Sequence, residues 1–197
     1  IEQLIPVLIA THIPVVFADR PGDENADFVG VDNEKQAGDL ILKFSKKPKK
    51  LALVTDSNSS IITIQERLRG AEKACQNEKI PYQIVKLESD AAKAKAVIAE
   101  LVKDGVDSFL PLNNLAALKT FGGLQANKIN IPKDARIISF DDSEAFTYVT
   151  PRITALRQPI QQIGSKSVDR LMARIKESKN PGEHFLLNCE FIERESH

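Results

Sequence analysis

Short runs of apolar, often β-branched residues alternate along this chain with stretches whose apolar residues recur at helical spacing. The runs predict strands covered on both faces, and they are IPVVFA (13–18), LALVT (51–55), YQIVKL (82–87), VDSFLPL (106–112), ARIISF (135–140) and HFLLNCEFIER (184–194). The helical stripes lie within residues 34–44, 62–75, 97–102, 115–124 and 160–175. Because strands that alternate with helices form βα units, we predict an α/β protein with mostly parallel, doubly wound sheets.

The order of these units is uneven. A helix-like piece over residues 1–11 and a single strand come first, and a complete set of alternating units follows over residues 34–140. This order predicts a first lobe that is incomplete in the chain. The sequence begins with Ile1 rather than methionine, so we leave open what precedes it.

Composition limits the classes of partner. The 27 basic and 27 acidic residues give a formal net charge of zero, which argues against strong attraction of this part of the protein to nucleic acid or to an anionic membrane. No apolar run reaches the roughly 18–20 residues that a membrane helix needs, and no signal-peptide pattern opens the sequence. We therefore expect a soluble, cytoplasmic, globular protein.

Cysteines and histidines predict no metal site. Cys75 falls on the apolar face of a predicted helix and Cys189 in a predicted strand, which favours two buried free thiols. His12, His184 and His197 are far apart, and no Cys/His spacing typical of metal ligands occurs.

Short polar side chains follow several predicted strands at the point where each strand ends. These residues are Asp19, Arg20, Asp56, Ser57, Asn58, Ser59, Asn113, Asn114, Asp141 and Asp142. Taken singly, each is more often a helix cap or turn residue than a ligand contact. Because the carboxyl ends of parallel strands share one edge of a sheet, the whole set favours a site for a polyhydroxylated ligand. Arg67, on the helix after residues 56–60, is either a planar donor for that ligand or a solvated helix arginine.

Motifs for catalysis are absent from the sequence, which has no GxGxxG, GxxxxGK[ST], GxSxG or HExxH pattern. Asp141 and Asp142 are adjacent, so on an extended backbone their side chains point apart and make a poor acid–base pair. We expect no enzymatic activity and no cofactor.

Several segments occur in the order found in one family. They are IPVVFADRP (13–21), VGVDNEKQAG (29–38), ERLRG (66–70), LNNLAAL (112–118), IPKDARIISFDD (131–142), PRITALRQPIQQIGSKSVDRLMARI (151–175) and FIERES (191–196). The chain resembles the effector-binding domain of LacI/GalR-type bacterial transcription regulators. The resemblance implies a type I periplasmic-binding-protein fold, in which two α/β lobes are joined by three crossovers and enclose a ligand cleft. It implies a partial DNA-proximal lobe over residues 1–31 and 157–178 and a distal lobe over 32–156 and 179–197.

The resemblance also implies which residues contact the effector. The arginine of the family's R-x-x-G element is Arg67, the first aspartate after the IISF strand is Asp141, and the strand-end asparagine is Asn113. The aspartate after PVV is Asp19, and two further positions that often line the pocket are Thr63 and Asp90. The chain departs from the family pattern at Asn114, where aspartate is usual, at KKPKK (46–50), where Gly-His is usual, and at Ala71, where an aromatic often stands.

The resemblance implies a ligand-controlled transcription regulator that is not an enzyme. A small polar effector, a sugar or sugar derivative, would bridge the lobes and change the affinity of a homodimer for operator DNA. The DNA would be bound by a helix-turn-helix headpiece that this chain lacks. The alternative is a sugar-binding protein of a transport system with the same fold, and the segment upstream of Ile1 would discriminate between the two.

Overall fold

The computed structural model describes residues 7–8, 13–23, 25–56, 60–176 and 181–197. Its secondary structure consists, in chain order, of β1 (Val16–Ala18), β2 (Asp27–Val31), α1 (Asn33–Ile41), β3 (Leu51–Thr55), α2 (Ile62–Asn77), β4 (Tyr82–Lys86), α3 (Ala91–Lys103), β5 (Ser108–Pro111), α4 (Asn114–Ala126), β6 (Arg136–Phe140), a 3-10 helix (Glu144–Thr147), β7 (Thr154–Arg157), α5 (Ile160–Lys176), β8 (His184–Leu187) and β9 (Glu190–Ile192).

These elements belong to two compact units. The first unit contains Ile1–Asp32 and Gln158–Cys189, and the second contains Asn33–Arg157 and Glu190–His197. The chain therefore passes from one unit to the other after Asp32, after Arg157 and after Cys189.

A six-stranded sheet forms the centre of the second unit, with the strand order β4-β3-β5-β6-β7-β9. Neighbouring strands from β4 to β7 are parallel, and β9 pairs antiparallel with β7. Every residue of β3 and of β6 is buried, as expected for strands with helices on both faces. Ala52 and Val54 pack into one core cluster with α3 and α4, whereas the equally buried Leu51 and Leu53 alternate to the opposite face.

A close contact between α1 and α2 depends on glycine. A Cβ atom added to Gly70 would lie 1.8 Å from the carbonyl oxygen of Glu34 and 2.8 Å from its Cα atom. On the other helix, a Cβ on Gly38 would lie 3.2 Å from the carbonyl oxygen of Gly70. The two backbones can therefore approach closely because neither glycine carries a side chain.

The first unit contains a parallel three-stranded sheet with the order β1-β2-β8, against which α5 packs. Its core cluster is small and consists of Val29, Val31 and Ile163 with partly buried neighbours such as Phe185 and Leu187.

A buried ion-pair network joins α5 to the start of β2. Asp27 is fully buried and accepts hydrogen bonds from Nε of Arg174 at 2.5 Å, from Nη2 of Arg170 at 3.1 Å and from the backbone amide of Glu183 at 2.8 Å. Burial alone would raise the pKa of Asp27. The hydrogen bonds from Arg174, Glu183 and Arg170 outweigh that effect and lower the pKa to about 2.

The predicted α/β fold with mostly parallel sheets is confirmed. The helix predicted over residues 1–11 lies almost entirely outside the described residues. Each of the other predicted helices corresponds to a helix of the structure. Two strands were missed, β2 and β7. Strand β2 begins with aspartate and contains Gly30, and β7 is only four residues long, so neither shows a long β-branched run.

The single strand predicted over residues 184–194 is wrong. It is two strands, because β8 pairs with β2 in the first unit and β9 pairs with β7 in the second. Residues 181–189 therefore belong with the first unit, whereas the sequence assigned residues 179–197 to the distal lobe. An apolar run does not reveal that its two halves pair in different sheets.

Two predictions about burial also need correction. Of the apolar stripe predicted on α5, Ile163 is buried, but Ile160, Val168, Met172 and Ile175 are exposed. The three-stranded sheet is too narrow to cover more of this helix, whose inner face is instead occupied by Arg170 and Arg174. Cys75 is buried as predicted, whereas Cys189 is half-buried.

Candidate functional site

Three neighbouring parallel strands of the second unit end in polar residues at the same edge of the sheet. Strand β3 is followed by Asp56, β5 by Leu112 and Asn113, and β6 by Asp141. Asp56 is buried, and the side chain of Asp141 is 23% exposed. The carboxyl edge of a parallel sheet is where α/β proteins bind ligands, because helix N-termini and loops converge there.

Arg67 is the centre of this edge. It projects from α2 and is only 4% exposed, which is unusual for an arginine unless it is paired. Its Nη1 donates to Oδ2 of Asp141 at 2.8 Å and to the carbonyl oxygen of Leu112 at 2.9 Å. The guanidinium carbon also lies 3.9 Å from the ring centroid of Phe140, a cation–π contact that fixes the plane of the group.

Asn33, the first residue of α1, holds the other side of Arg67. Its Oδ1 accepts from Nε of Arg67 at 2.8 Å, and its Nδ2 donates to Oε2 of Glu66 at 3.1 Å. Asn33 is itself buried. Since Asn33, Leu112 and Asp141 all bond to Arg67, three separate parts of the chain converge on one guanidinium.

Asp141 has a left-handed backbone conformation, with φ of 72°. For a residue other than glycine this conformation costs of order 1 kcal/mol or more, and such residues concentrate at functional sites. The hydroxyl of Ser139 donates to the carbonyl oxygen of Asp141 at 2.9 Å and helps to hold the turn. The geometry presents the Asp141 carboxylate to Arg67 at the end of β6.

The chain matches the family described as a periplasmic binding protein-like domain over residues 45–197, more than three quarters of its length. It is 25% identical to the transcriptional repressor PurR of Aliivibrio fischeri strain MJ11, a match that covers 99% of this chain and 60% of that protein. It is 28% identical to the transcriptional regulator KdgR of Bacillus subtilis strain 168, with the same two coverages. The chain thus spans about 60% of the length of these curated relatives.

A solved structure shares the fold. The chain superposes with a TM-score of 0.81 on a LacI family transcriptional regulator from Enterococcus faecium with bound ribose, at 23% identity and over 99% of this chain and 74% of that one. The chain belongs to the family of periplasmic-binding-protein-like domains. The two units and the three passages of the chain between them agree with the fold that this family implies.

In this domain the six predicted contact residues lie in different settings. Arg67 and Asp141 bond to each other, and Asn113 follows Leu112, whose carbonyl oxygen Arg67 also binds. Thr63 is buried in the first turn of α2, one turn before Arg67. These four residues belong to the second unit and remain the candidate set.

Asp90 and Asn113 both serve as helix caps. Oδ1 of Asp90 accepts from the backbone amide of Lys93 at 2.9 Å, and Oδ1 of Asn113 accepts from that of Ala116 at 2.8 Å. Asp90 is exposed at the start of α3 and caps it through Oδ1, and its role as an effector contact stays a prediction. For Asn113 the cap leaves the amide nitrogen as a donor at the site edge.

Asp19 belongs to the first unit. It also has a left-handed backbone, with φ of 65°, and its side chain is 53% exposed beside Arg20. Its role as an effector contact stays a prediction.

Asn33 is a residue of the candidate site that the strand-end pattern does not predict. Because β2 shows no β-branched run, the pattern does not include its end at Val31 or the following Asp32 and Asn33. The signal lay in the VGVDN segment, where an apolar run meets two polar residues directly before a helix.

Asp142 turns away from this cluster into a separate one. Its carboxylate is 7% exposed, accepts from the backbone amide of Ser143 at 2.9 Å and pairs with Arg157 and Arg194. Burial alone would raise the pKa of Asp142, but the hydrogen bonds from Arg194 and Arg157 hold it below its usual range.

Within the described ranges, no group of three or more His, Cys, Asp or Glu side chains is placed to hold a metal ion. No helix of the same residues is long and apolar enough to cross a membrane.

Proposed function

We propose that this LacI-type domain binds a small polyhydroxylated effector, a sugar or sugar derivative, at Arg67 and Asp141, and that this binding controls the affinity of the whole protein for operator DNA. The Arg67–Asp141 pair, held from behind by Asn33, is the observation that carries the proposal. Support also comes from the relatives, which are transcription regulators, one of them solved with ribose bound.

The chemistry of the cluster suits vicinal hydroxyl groups. A carboxylate accepts at both of its oxygens, so Asp141 can hold Arg67 and a ligand hydroxyl together. The guanidinium of Arg67 presents donors in one plane, and the amide of Asn113 adds a further donor. Because the Arg67 plane is already fixed by Phe140 and Asn33, little rotamer entropy is lost when a ligand binds.

Control of DNA binding requires that the effector prefer one of two conformations. A ligand shifts such an equilibrium only by the difference in its affinity for the two states. The DNA would be bound in the cytoplasm by a helix-turn-helix segment of the whole protein, as the names of the relatives indicate. A transport protein with the same fold is not favoured, because these relatives are regulators.

Calorimetry against pentoses, hexoses, phosphorylated sugars and nucleobases tests effector binding. Arg67→Ala and Asp141→Ala should each weaken binding by about 1–3 kcal/mol, because a charge-assisted hydrogen bond is lost. Asp107→Asn is the control, since Asp107 pairs with Arg136 at the amino ends of β5 and β6 and not at the site. Binding that is unchanged in both alanine variants would refute the site, and no binding by any compound to a folded protein would refute the class of effector.

The homodimer is the second part of the proposal, and a groove between α3 and α4 is its candidate surface. The groove has a volume of about 460 Å³ and is floored by small residues that include Ala91, Ala94, Gly122 and Gly123. Leu115 and Leu118 are exposed on α4. Nζ of Lys119 is shielded from solvent and hydrogen-bonds to no group of the described residues.

A second copy of the chain fits this groove because the groove carries both signs of charge. Glu88 and Lys119 both line it, and a two-fold axis brings the same surface of both copies together. Sedimentation velocity tests the surface: Leu118→Asp should convert a dimer to a monomer. Leu42→Asp, which changes an exposed leucine outside the groove, should not. A dimer that survives Leu118→Asp would exclude this surface.

A further inference from the structure

The residues of the second unit that lie at its junctions with the first have unusual partners. The chain passes between the units beside Asn33, Arg157 and Glu190, which are the second-unit residues at the three junctions. Each makes a side-chain contact within the second unit. Asn33 bonds to Arg67, and Nη1 of Arg157 lies 3.6 Å from Oε2 of Glu190.

Asp142 is the acceptor that fixes the second and third junctions. Its Oδ2 accepts from Nη2 of Arg157 at 2.8 Å and from Nε of the same residue at 3.1 Å. Arg194, four residues beyond Glu190, binds both carboxylate oxygens, with Nη1–Oδ1 at 2.8 Å and Nη2–Oδ2 at 2.9 Å. Arg194 also donates to the carbonyl oxygen of Ile153, just before β7.

The first junction, at Asn33, is linked to Asp141, the residue before Asp142. Asp141 pairs with Arg67, and Arg67 binds Asn33. A single peptide bond therefore separates the carboxylate that reaches the first junction from the carboxylate that reaches the other two. Both lie at the end of β6, where the effector is proposed to bind.

We propose that Asp142, Arg157 and Arg194 are positioning residues that pass the state of Arg67 and Asp141 to the strands that cross between the units. A change in the Arg67–Asp141 pair alters the turn at residues 141–142. The turn carries the Asp142 carboxylate with it, and the carboxylate moves Arg157 at the end of β7 and Arg194 after β9. This role rests on the proposed function only for the identity of the trigger, an effector at Arg67 and Asp141.

Stability alone is a weak reason for this cluster. A buried ion pair often contributes no more than a well-packed apolar pair of the same volume, because desolvation of both charges offsets their attraction. Asp107 and Arg136 supply the comparison. They form a similar, mostly buried pair at 2.6 Å in the same sheet, but Asp107 otherwise bonds to Ser108 and to the loop before β3. Asp107 thus connects β5 and β6 to a loop within the sheet, whereas Asp142 connects the end of β6 to residues at or near two junctions between the units.

Hydrogen exchange followed by mass spectrometry tests the proposal without a ligand. Arg67→Ala should speed exchange of the amides around residues 155–159 and 190–194 by at least about fivefold, since local opening there becomes easier. In an Asp142→Asn background, Arg67→Ala should cause no further change in these segments. In an Asp107→Asn background the response to Arg67→Ala should remain. Arg157→Gln, at a half-exposed position, removes one arm of the cluster and replaces Asp142→Asn if that variant does not fold.

Two results would overturn the positioning role. One is an Arg67→Ala variant whose exchange at residues 155–159 and 190–194 equals that of the wild type. The other is a response that persists in Asp142→Asn or is abolished equally by Asp107→Asn. A second arm uses ribose as the probe: if ribose binds, it should slow exchange of these segments in the wild type but not in Asp142→Asn. Absence of ribose binding would count against the proposed effector, while the ligand-free arm still decides the role of Asp142.

Discussion

Gly70→Ala provides a sharp test of how α1 and α2 pack. Alanine is the better helix former, and exchange of a mid-helix glycine for alanine normally stabilises by about 0.5–1 kcal/mol. At Gly70 the added methyl group would lie 1.8 Å from the carbonyl oxygen of Glu34, a distance that real Cβ contacts do not show. The clashing atoms belong to the backbone of α1, so a change of rotamer cannot relieve the clash.

The expected loss follows from the displacement. To restore even a 3.0 Å contact, the two helices must separate locally by more than an ångström. Overpacking of this kind costs about 1–3 kcal/mol or more. With the helix-propensity gain subtracted, we expect a net destabilisation of about 2 kcal/mol, which for a protein of this size lowers Tm by roughly 4–8 °C.

Thermal and urea unfolding measure this loss, and Gly122→Ala is the matched control. Gly122 lies in the middle of α4, and among the described residues a Cβ added there meets no atom within 4 Å outside the adjoining turns of its own helix. Gly122→Ala should therefore raise stability by about 0.5–1 kcal/mol. Because Gly122 lines the α3–α4 groove, both variants should first be shown by sedimentation to have the wild-type oligomeric state. A Gly70→Ala protein as stable as the wild type would refute the close approach of the helices.

Three further predictions concern ionisable groups. The low pKa of Asp27, about 2, contributes stability that is fully present above the unfolded value of about 3.9 and is lost as pH falls through about 2. Urea unfolding at a series of acidic pH values should show that the wild type loses about 2 kcal/mol of unfolding free energy and that Asp27→Asn does not. Equal pH dependence of the unfolding free energy in the two proteins would contradict the pairing of Asp27 with Arg170 and Arg174. Burial raises the pKa of the Cys75 thiol to about 11, so in a Cys189→Ser variant Ellman's reagent should label Cys75 only after unfolding; rapid labelling of that variant in its native state would disprove the burial of Cys75. Asp142→Ala should lower effector affinity less than Asp141→Ala does, but it should destabilise the fold by about 3 kcal/mol, because Arg194 is left buried without its partner. Calorimetry measures the affinities and urea unfolding the stabilities. A larger loss of affinity in Asp142→Ala than in Asp141→Ala would exchange the roles of the two aspartates.

Much of the fold could be predicted because its central strands are buried on both faces. LALVT and ARIISF contain short, nearly continuous apolar runs that are buried throughout, and such runs are easily recognised. Strands β2 and β7 could not be recognised in the same way. Asp27 opens β2 as a fully buried charge, which is tolerable only because Arg170 and Arg174 reach it from α5, more than 140 residues later. Local pattern cannot anticipate a partner at that distance.

The candidate site was predictable to the extent that strand ends are polar. The strand-end pattern includes Asp141 and Asn113, and the resemblance to the family selects these two and Arg67 as effector contacts. The partition between Asp141 and Asp142 follows from the left-handed backbone at Asp141 and from the arginines at positions 157 and 194, which only the folded chain brings together. Asp90 shows why strand-end position alone is a weak signal, since its side chain also caps a helix.

The KKPKK segment, which departs from the family pattern, has a local explanation. Nζ of Lys47 donates to the carbonyl oxygen of Glu78 at 2.6 Å, and Nζ of Lys50 donates to that of Asp104 at 3.3 Å. Glu78 and Asp104 are the C-cap residues of α2 and α3. Cations at helix C-termini satisfy unpaired carbonyl groups and oppose the negative end of the dipole. The two lysines therefore stabilise the C-termini of α2 and α3 at the amino ends of the strands, away from the site edge.

The R-x-x-G element combines two requirements one helical turn apart. Gly70 lets α1 approach α2, and Arg67 on the same helix reaches Asn33 at the start of α1. The 2.8 Å bond between Nε of Arg67 and Asn33 survives only if the helices stay close, so a displacement of more than an ångström at Gly70 would break it. Arg67 would then lose one of the two contacts that fix its plane. Glycine and arginine are thus linked by geometry: the first sets the distance that the second needs, and neither residue alone would produce a preformed site.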